Sequence, residues 1–454
     1  IAILLISCDD NNVDLDINLK ACFTTDVDTT TAGIAVNFTN CSDSANFYHW
    51  DFGDGNSSIE ENPKHSYSDS GLFTITLLAT DKLNNSDYTV KDIYVNPPNI
   101  IDEDDFFKTY DDLENLLITT YERFFSYYET LFLVDANYSN KINSKGGWSD
   151  LYQHTQTSSN SKVESLWRSS YKVINLCNEL EYYTLRISQS ISNNEYSTIL
   201  NNLKGIRAFV YLNLINWFGD VPLITERYTS DSDIYPKRDD LATVIEFVLN
   251  EANQIIELFP FENQFNAEYS MPKEISYYLI SSINRLKSNQ ENNFTYLSSF
   301  ITESNYPLET EFPSDLKSKN QEFLFSIYID PLLQWQYTWE YRDYVPIISS
   351  SLLHLIYEEA NLKSEGEVTF LSLNKLLVRN SLPTVDNTTT ISDIKSKIIY
   401  LFLNDAFING NSFLTLKSNS LAIDSLNIDS SRLLLPIPEN DIMNNPNMAQ
   451  NPGY

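Results

Sequence analysis

The chain has 454 residues, with 30 Lys and Arg against 62 Asp and Glu, a formal net charge of −32 at pH 7. A surface so acidic repels phosphate backbones and anionic lipid, which excludes a nucleic-acid-binding protein, and the 42% hydrophobic and 13% aromatic residues exclude a disordered acidic chain. A chain of this length buries a sizeable core over two or three domains, and it contains no apolar run of the eighteen or more residues that a helical membrane span needs.

In chain order, Ile1 to Ser7 are apolar and stop abruptly at Cys8, which Asp9-Asp10-Asn11-Asn12 follow. Residues 1–7 read as the remnant of a signal peptide. Leu5-Ile6-Ser7-Cys8 resembles a lipobox, in which Cys8 becomes the lipidated first residue of a mature lipoprotein. The bland alternative is a buried apolar strand with an incidental cysteine. Residues 8–20 then form the lipidated Cys and an acidic, Asn-rich tether. Cys22 and Cys41 lie near the start of one predicted strand and the end of the next. Antiparallel pairing would bring them together as a disulfide, which an exported protein can keep.

From 21 to 96 the chain reads as short strands, among them Ile34 to Phe38 and the alternating Phe73 to Ala79. Between these lie Trp50-Asp51-Phe52-Gly53-Asp54-Gly55 and Asn62-Pro63-Lys64-His65-Ser66-Tyr67. This order resembles the PKD domain, a small immunoglobulin-like β-sandwich. The resemblance implies that Trp50 fills the core, and that Asp51, Asp54 and His65 are structural rather than catalytic. Residues 97–103, opening on Pro97-Pro98, read as a stiff linker.

From 104 to 454 the period becomes helical. Leu113, Leu116, Leu117, Tyr121, Phe124 and Phe125 fall on one face. Further helices are predicted near 161–187, 195–218, 239–258, 272–288, 349–364, 368–380 and 391–407, without a clean repeat at fixed spacing. Cys177, among Ile174, Leu176 and Leu180, reads as a buried thiol, and Trp167 and Trp217 as core. The chain ends on Leu433-Leu434-Leu435-Pro436-Ile437-Pro438-Glu439-Asn440-Asp441-Ile442 and Gln450-Asn451-Pro452-Gly453-Tyr454. On physical grounds this stretch is only a tail, broken by prolines and turns.

As a fingerprint it says more, because it resembles the C-terminal signature of the SusD/RagB family of nutrient-binding outer-membrane lipoproteins. Trp167, Tyr171, Ile174 and Asn175 resemble that family's W-x3-Y-x2-I-N helix, and Arg207-Ala208 through Tyr211-Leu212 to Phe218-Gly219-Asp220-Val221-Pro222-Leu223 its R-A-x2-Y-x-L…F-G-D-V-P-L segment. Glu322 to Ile327, Glu358-Glu359-Ala360 and Leu373-Asn374 to Arg379 also correspond. Tyr400 to Asn411 depart from the family by lacking its usual charges. The resemblance implies a multidomain chain, a PKD-like all-β sandwich followed by a mainly α-helical domain of tetratricopeptide-like helix pairs. It also implies cell-surface anchoring in the outer membrane, an oligosaccharide or peptide ligand, and a SusC/RagA-type TonB-dependent barrel as partner.

Catalytic signatures do not emerge. His49, His65, His154 and His354 are scattered, and no zincin, P-loop or nucleophile-elbow motif occurs. Acidic pairs such as Asp104-Asp105, Asp111-Asp112, Asp239-Asp240 and Glu358-Glu359 read as solvated faces or helix N-terminal charges. The acids Asp9, Asp10, Asp14 and Asp16 lack the spacing of a calcium loop, so neither metal nor cofactor is expected and the protein is not expected to be an enzyme.

Binding is better supported, since flat aromatic rings stack on sugar faces at low entropic cost. In Trp335-Gln336-Tyr337-Thr338-Trp339-Glu340-Tyr341-Arg342, an extended chain would put Trp335, Tyr337, Trp339 and Tyr341 on one face. A half-buried strand would give the same pattern. Trp148 and Tyr152, in a polar stretch after Gly146-Gly147, are a second candidate because the Trp has few obvious core partners. A PKD-bearing glycoside hydrolase or peptidase, and a helical-repeat adaptor for proteins, are the rival readings.

Overall fold

The computed structural model describes residues 19–97, 107–144, 147–229, 235–258, 271–287, 290–303, 308, 323–328, 344–362, 370–408 and 410–454. The chain divides between Phe106 and Phe107 into two compact units.

The first unit contains β1 (Phe23–Thr25), β2 (Thr29–Thr31), β3 (Ala35–Asn40), β4 (Phe47–Asp51), β5 (Ser57–Ser58), β6 (Lys64–Ser66), β7 (Gly71–Thr80) and β8 (Ser86–Asn96). They form a three-stranded sheet, β1-β3-β6, and a five-stranded sheet, β2-β8-β7-β4-β5. The last two strands are not short. They pair antiparallel from Gly71↔Val95 to Thr80↔Ser86, and strict alternation sends Phe73, Ile75, Leu77, Ile93 and Val95 inward onto Val36, Phe38 and Trp50. Trp50 is fully buried, its indole donating to Glu60 O at 2.8 Å.

The Asp-Gly turn after β4 explains its own residues. Gly53 has φ +79°, and a Cβ there would stand 2.6 Å from Thr74 O, so any side chain is excluded. Asp51 Oδ1 accepts from Gly53 N at 2.9 Å, and Asp54 Oδ2 meets His65 Nε2 at 2.7 Å. Burial works to raise the Asp54 carboxyl, but hydrogen bonds from His65 and Asn56 hold it below the ordinary value. Asp51, Asp54 and His65 thus serve the sandwich. Cys22 and Cys41 are disulfide-bonded, with 4.8 Å between Cα atoms, across the Phe23↔Asn40 end of the β1–β3 pair.

In the second unit α1 (Tyr110–Tyr138) opens on a reciprocal capping box between Thr109 and Asp112, so Asp112 is a helix N-terminal charge as expected. Then come α2 (Gly147–Tyr152), α3 (Ser161–Arg186), α4 (Asn193–Phe218), α5 (Leu241–Leu258), α6 (Glu274–Leu286) and α7 (Gln290–Glu303). The paired strands β9 (Phe323–Tyr328) and β10 (Tyr344–Ser349) precede α8 (Ser350–Asn361), α9 (Leu371–Arg379), α10 (Ile391–Ile408), α11 (Ser412–Ser418), α12 (Ala422–Leu426) and α13 (Glu439–Asn444). Helices α3 to α7 each pack on the next in the chain, the arrangement of stacked helix pairs. The predicted helices are present. Helices α2, α7, α11, α12 and α13 carry too little apolar periodicity to have been read in advance.

Two buried constructions hold the helices. Lys204 and Arg207 of α4 meet Glu181 of α3 and Glu251 of α5: Lys204 Nζ lies 3.1 and 3.0 Å from the two carboxylates, and the Arg207 guanidinium 2.7 and 2.8 Å. Arg207 also donates to Asn178 Oδ1 at 2.7 Å. The second follows the helix stop at Gly219, where Tyr171 donates to Pro222 O, Tyr211 to Ile224 O, and Asn178 to both Ile224 O and Glu226 O. The Trp/Tyr and Arg-Ala-x2-Tyr motifs are therefore scaffolding that pins the Phe218-to-Leu223 segment.

The closing segment corrects the reading of it as only a tail. Leu435 and Ile437 are buried, and Leu435 N donates to Trp217 O at 2.7 Å. Asn451 Nδ2 donates to both Phe218 O and Leu435 O, at 2.9 and 2.7 Å. Arg238 spans Phe218 O, Asp220 O, Ala449 O and Asn451 Oδ1. Gln450 exchanges two hydrogen bonds with the Ile437 backbone, and Trp167 Nε1 donates to Asp441 Oδ1 at 3.1 Å. The prolines keep residues 434–438 extended, so the backbone groups there have no helical partners before α13 begins. The amide side chains of Gln450 and Asn451 answer the Ile437 and Leu435 carbonyls.

Candidate ligand-binding site

Trp148 and Tyr152 sit one turn apart on α2, so the structure brings this pair together. The expected polar loop is instead a helical turn, hooked to α3 by Asn160. That residue caps α3 by accepting from Lys162 N and Val163 N, and its amide donates to Gly147 O at 3.0 Å and Asp150 Oδ2 at 3.3 Å. Trp148 does have core partners. It is half-buried against the cluster of Phe132, Leu133 and Ala136, and Lys162 Nζ stands 4.9 Å from its ring centroid. Part of the indole therefore anchors α2. What remains, with the Lys162 ammonium and a half-buried Tyr152, is an aromatic surface edged by hydrogen-bond donors.

The other four aromatics, Trp335, Tyr337, Trp339 and Tyr341, lie outside the described residues, as does Cys8. The strands on either side are informative. Tyr328, at the end of β9, is opposite Tyr344, at the start of β10. Residues 329–343 join these two paired strands in sequence, and β10 leads directly into α8, whose first turn is buried. All four aromatics belong to this single connection.

Several buried ionisable groups elsewhere are absorbed by the fold. Glu358 corrects its reading as a solvated charge: it is 2% exposed and accepts from Leu373 N at 3.1 Å, at the start of α9. Burial raises its carboxyl to about 7, against hydrogen bonds from Asn361 and Leu373. His354 Nδ1 meets Ser372 Oγ at 2.9 Å, and burial lowers the ring to about 3. Asp135 accepts from Ser412 N and Phe413 N, and burial raises it to about 7 against those bonds. Cys177 is buried, its thiol pushed up to about 12 by that burial. Glu358, His354 and Asp135 thus join helices. Among the described residues, no cluster of three or more His, Cys, Asp or Glu could hold a metal ion.

With the architecture in view, the two units can be assigned to classes. Residues 21–95 match the PKD domain family, and the helical unit has the SusD-like fold. Three solved structures show the extent of the likeness. A SusD superfamily protein from Bacteroides vulgatus ATCC 8482 is 14% identical at a TM-score of 0.64, over 77% of this chain and 100% of its own. A SusD-like protein from Bacteroides fragilis NCTC 9343 is 12% identical at 0.66, over 78% and 99%. A laminarin-binding SusD-like protein is 15% identical at 0.63, over 77% and 100%.

Proposed function

We propose that this protein is a lipid-anchored, cell-surface glycan-binding protein that captures an oligosaccharide and delivers it to a TonB-dependent outer-membrane barrel. The observation that carries the reading is the SusD-like fold, which spans essentially the full length of structural neighbours that include one named for binding laminarin. The chain's aromatic segment supports it, since Trp335, Tyr337, Trp339 and Tyr341 are concentrated in one connection between paired strands. Stacking on those rings would supply affinity, and polar neighbours the orientation.

Capture without cleavage is part of this reading, and the engagement of Glu358, Asp135 and His354 in helix contacts agrees with it. Cys8 would carry the lipid, with two or more acyl chains for stable anchoring. The barrel partner would take the ligand by a hinge closure.

The test is a glycan and peptide array probed with wild type and a Trp335→Ala/Trp339→Ala variant of verified fold. Binding of a defined oligosaccharide that drops at least tenfold in the variant is the expected result. Hits confined to peptides, or glycan turnover by the wild type, would overturn the reading.

A further inference from the structure

The outer face of the five-stranded sheet is not the polar surface that alternation should leave. Cross-strand rows on it run Phe47–Thr80–Ser86, His49–Leu78–Tyr88 and Asp51–Thr76–Val90 over β4, β7 and β8, then Thr74–Asp92 and Leu72–Tyr94 over β7 and β8. Tyr88 is 67% exposed, Phe47 60% and Val90 55%, with Leu72 and Leu78 exposed beside them. The inner core needs none of these side chains, so their apolar character is unexplained by the fold.

We propose that this face is a second, independent docking platform for a neutral polysaccharide, with Tyr88 and Phe47 as its stacking rings. Its ligand class rests on the proposed glycan-binding function; its location does not. Shape argues first. Phe47 on β4 and Tyr88 on β8 stand on either side of Thr80 and Leu78 of β7, two exposed rings about 10 Å apart across a flat sheet face.

Charge argues next. The face offers two carboxylates, Asp51 and Asp92, and no Lys or Arg from β4, β7 or β8; Lys91 points to the opposite side, where it pairs with Asp28, and Lys82 lies in the turn beyond Thr80. A polyanion would meet no cation there, and a second copy of a chain of charge −32 would be repelled. Rings for sugar faces, threonine hydroxyls and carboxylates for sugar hydroxyls are the complement of an uncharged, polyhydroxylated chain.

The test is affinity electrophoresis of the whole chain in gels cast with laminarin, amylopectin, galactomannan or arabinoxylan, and with polygalacturonate as the anionic control. Wild type is run beside Phe47→Ala/Tyr88→Ala, Tyr88→Phe and Trp335→Ala/Trp339→Ala. The expected result is retention by at least one neutral polysaccharide that weakens fivefold or more in the Phe47/Tyr88 double variant. Tyr88→Phe, which keeps the ring, should retain it. A double variant that runs like wild type in every neutral gel overturns the proposal, whatever the Trp335/Trp339 variant does. So does a difference confined to polygalacturonate, or a wild-type dimer in sedimentation that the double variant loses. Failure of the Trp335/Trp339 variant to change any binding speaks separately, against the site proposed for the helical unit.

Discussion

At the scale of single residues, the buried charges of the helical unit are the most exposed to perturbation. Glu251 is 3% exposed and faces both Lys204 and Arg207. Removing it leaves two buried cations sharing Glu181 alone, and breaking such a network costs about 3–5 kcal/mol. Glu251→Ala should therefore lower the urea midpoint sharply. Arg168→Ala, which removes an i,i+4 partner of Glu164 at the surface, should stay within about 1 kcal/mol. Equal effects would mean that the quartet is solvated.

Glu358 gives a pH signature. Its carboxyl sits at about 7 in the fold against an ordinary 4.5. Between those values the native state keeps a proton that the unfolded chain has released. Its contribution is full below about 4.5 and is lost as pH rises toward 7. Urea midpoints measured at pH 5 and pH 8 should differ less in Glu358→Gln than in wild type. An unchanged difference would show that the carboxylate is stabilised by its two donors as an anion.

Secondary-structure elements bring a different kind of vulnerability, because here one extended segment closes off several helices. Asn451 answers Phe218 O and Leu435 O and holds one arm of Arg238. A buried polar group left unpaired costs about 1–3 kcal/mol, so Asn451→Ala should destabilise by about 2–4 kcal/mol. Limited proteolysis should then cut first between Pro438 and Pro452. Protection equal to wild type would show that the asparagine is dispensable.

The same segment marks where the sequence stopped being legible. Its prolines and turns were readable, and so was the helix stop at Gly219, because local chemistry dictates both. The role of Asn451 was not, since its acceptor at Phe218 is 233 positions away. Glu358 looked like any surface acid until the Leu373 amide was found aimed at it. Helix α2 was hidden for another reason: six residues are too few to display a period, and the glycines before Trp148 suggested a loop.

At the scale of the whole molecule, the change of hydrophobic period along the chain foretold a β unit followed by a helical one. The alternation of Phe73 to Ala79 and the spacing of Leu113 to Phe124 are local periodicities that survive into the fold. The exposure of Tyr88 and Phe47 was never in the periodicity, because it depends on which sheet face is covered. The disulfide belongs to the first unit alone. Its Cys22–Cys41 loop, a separation of 19, should stabilise the sandwich by about 3 kcal/mol. In Cys22→Ser/Cys41→Ser, hydrogen exchange of peptides from β7 and β8 should accelerate while those from α3 and α4 keep their protection. Acceleration in both would mean that the two units unfold together.

The clasp of Asn451 and Leu435 on the end of α4 also sets an order in time. A ribosome makes Trp217 and Phe218 long before it makes the residues that pair with their carbonyls. Until translation has passed position 451, Arg238 lacks two of its acceptors and the floor beneath Leu435 is open to water. The helical unit can therefore collect its helices early yet reach its final packing only late. Such a chain stays pliable while it is still being made, and locks once its closing residues arrive.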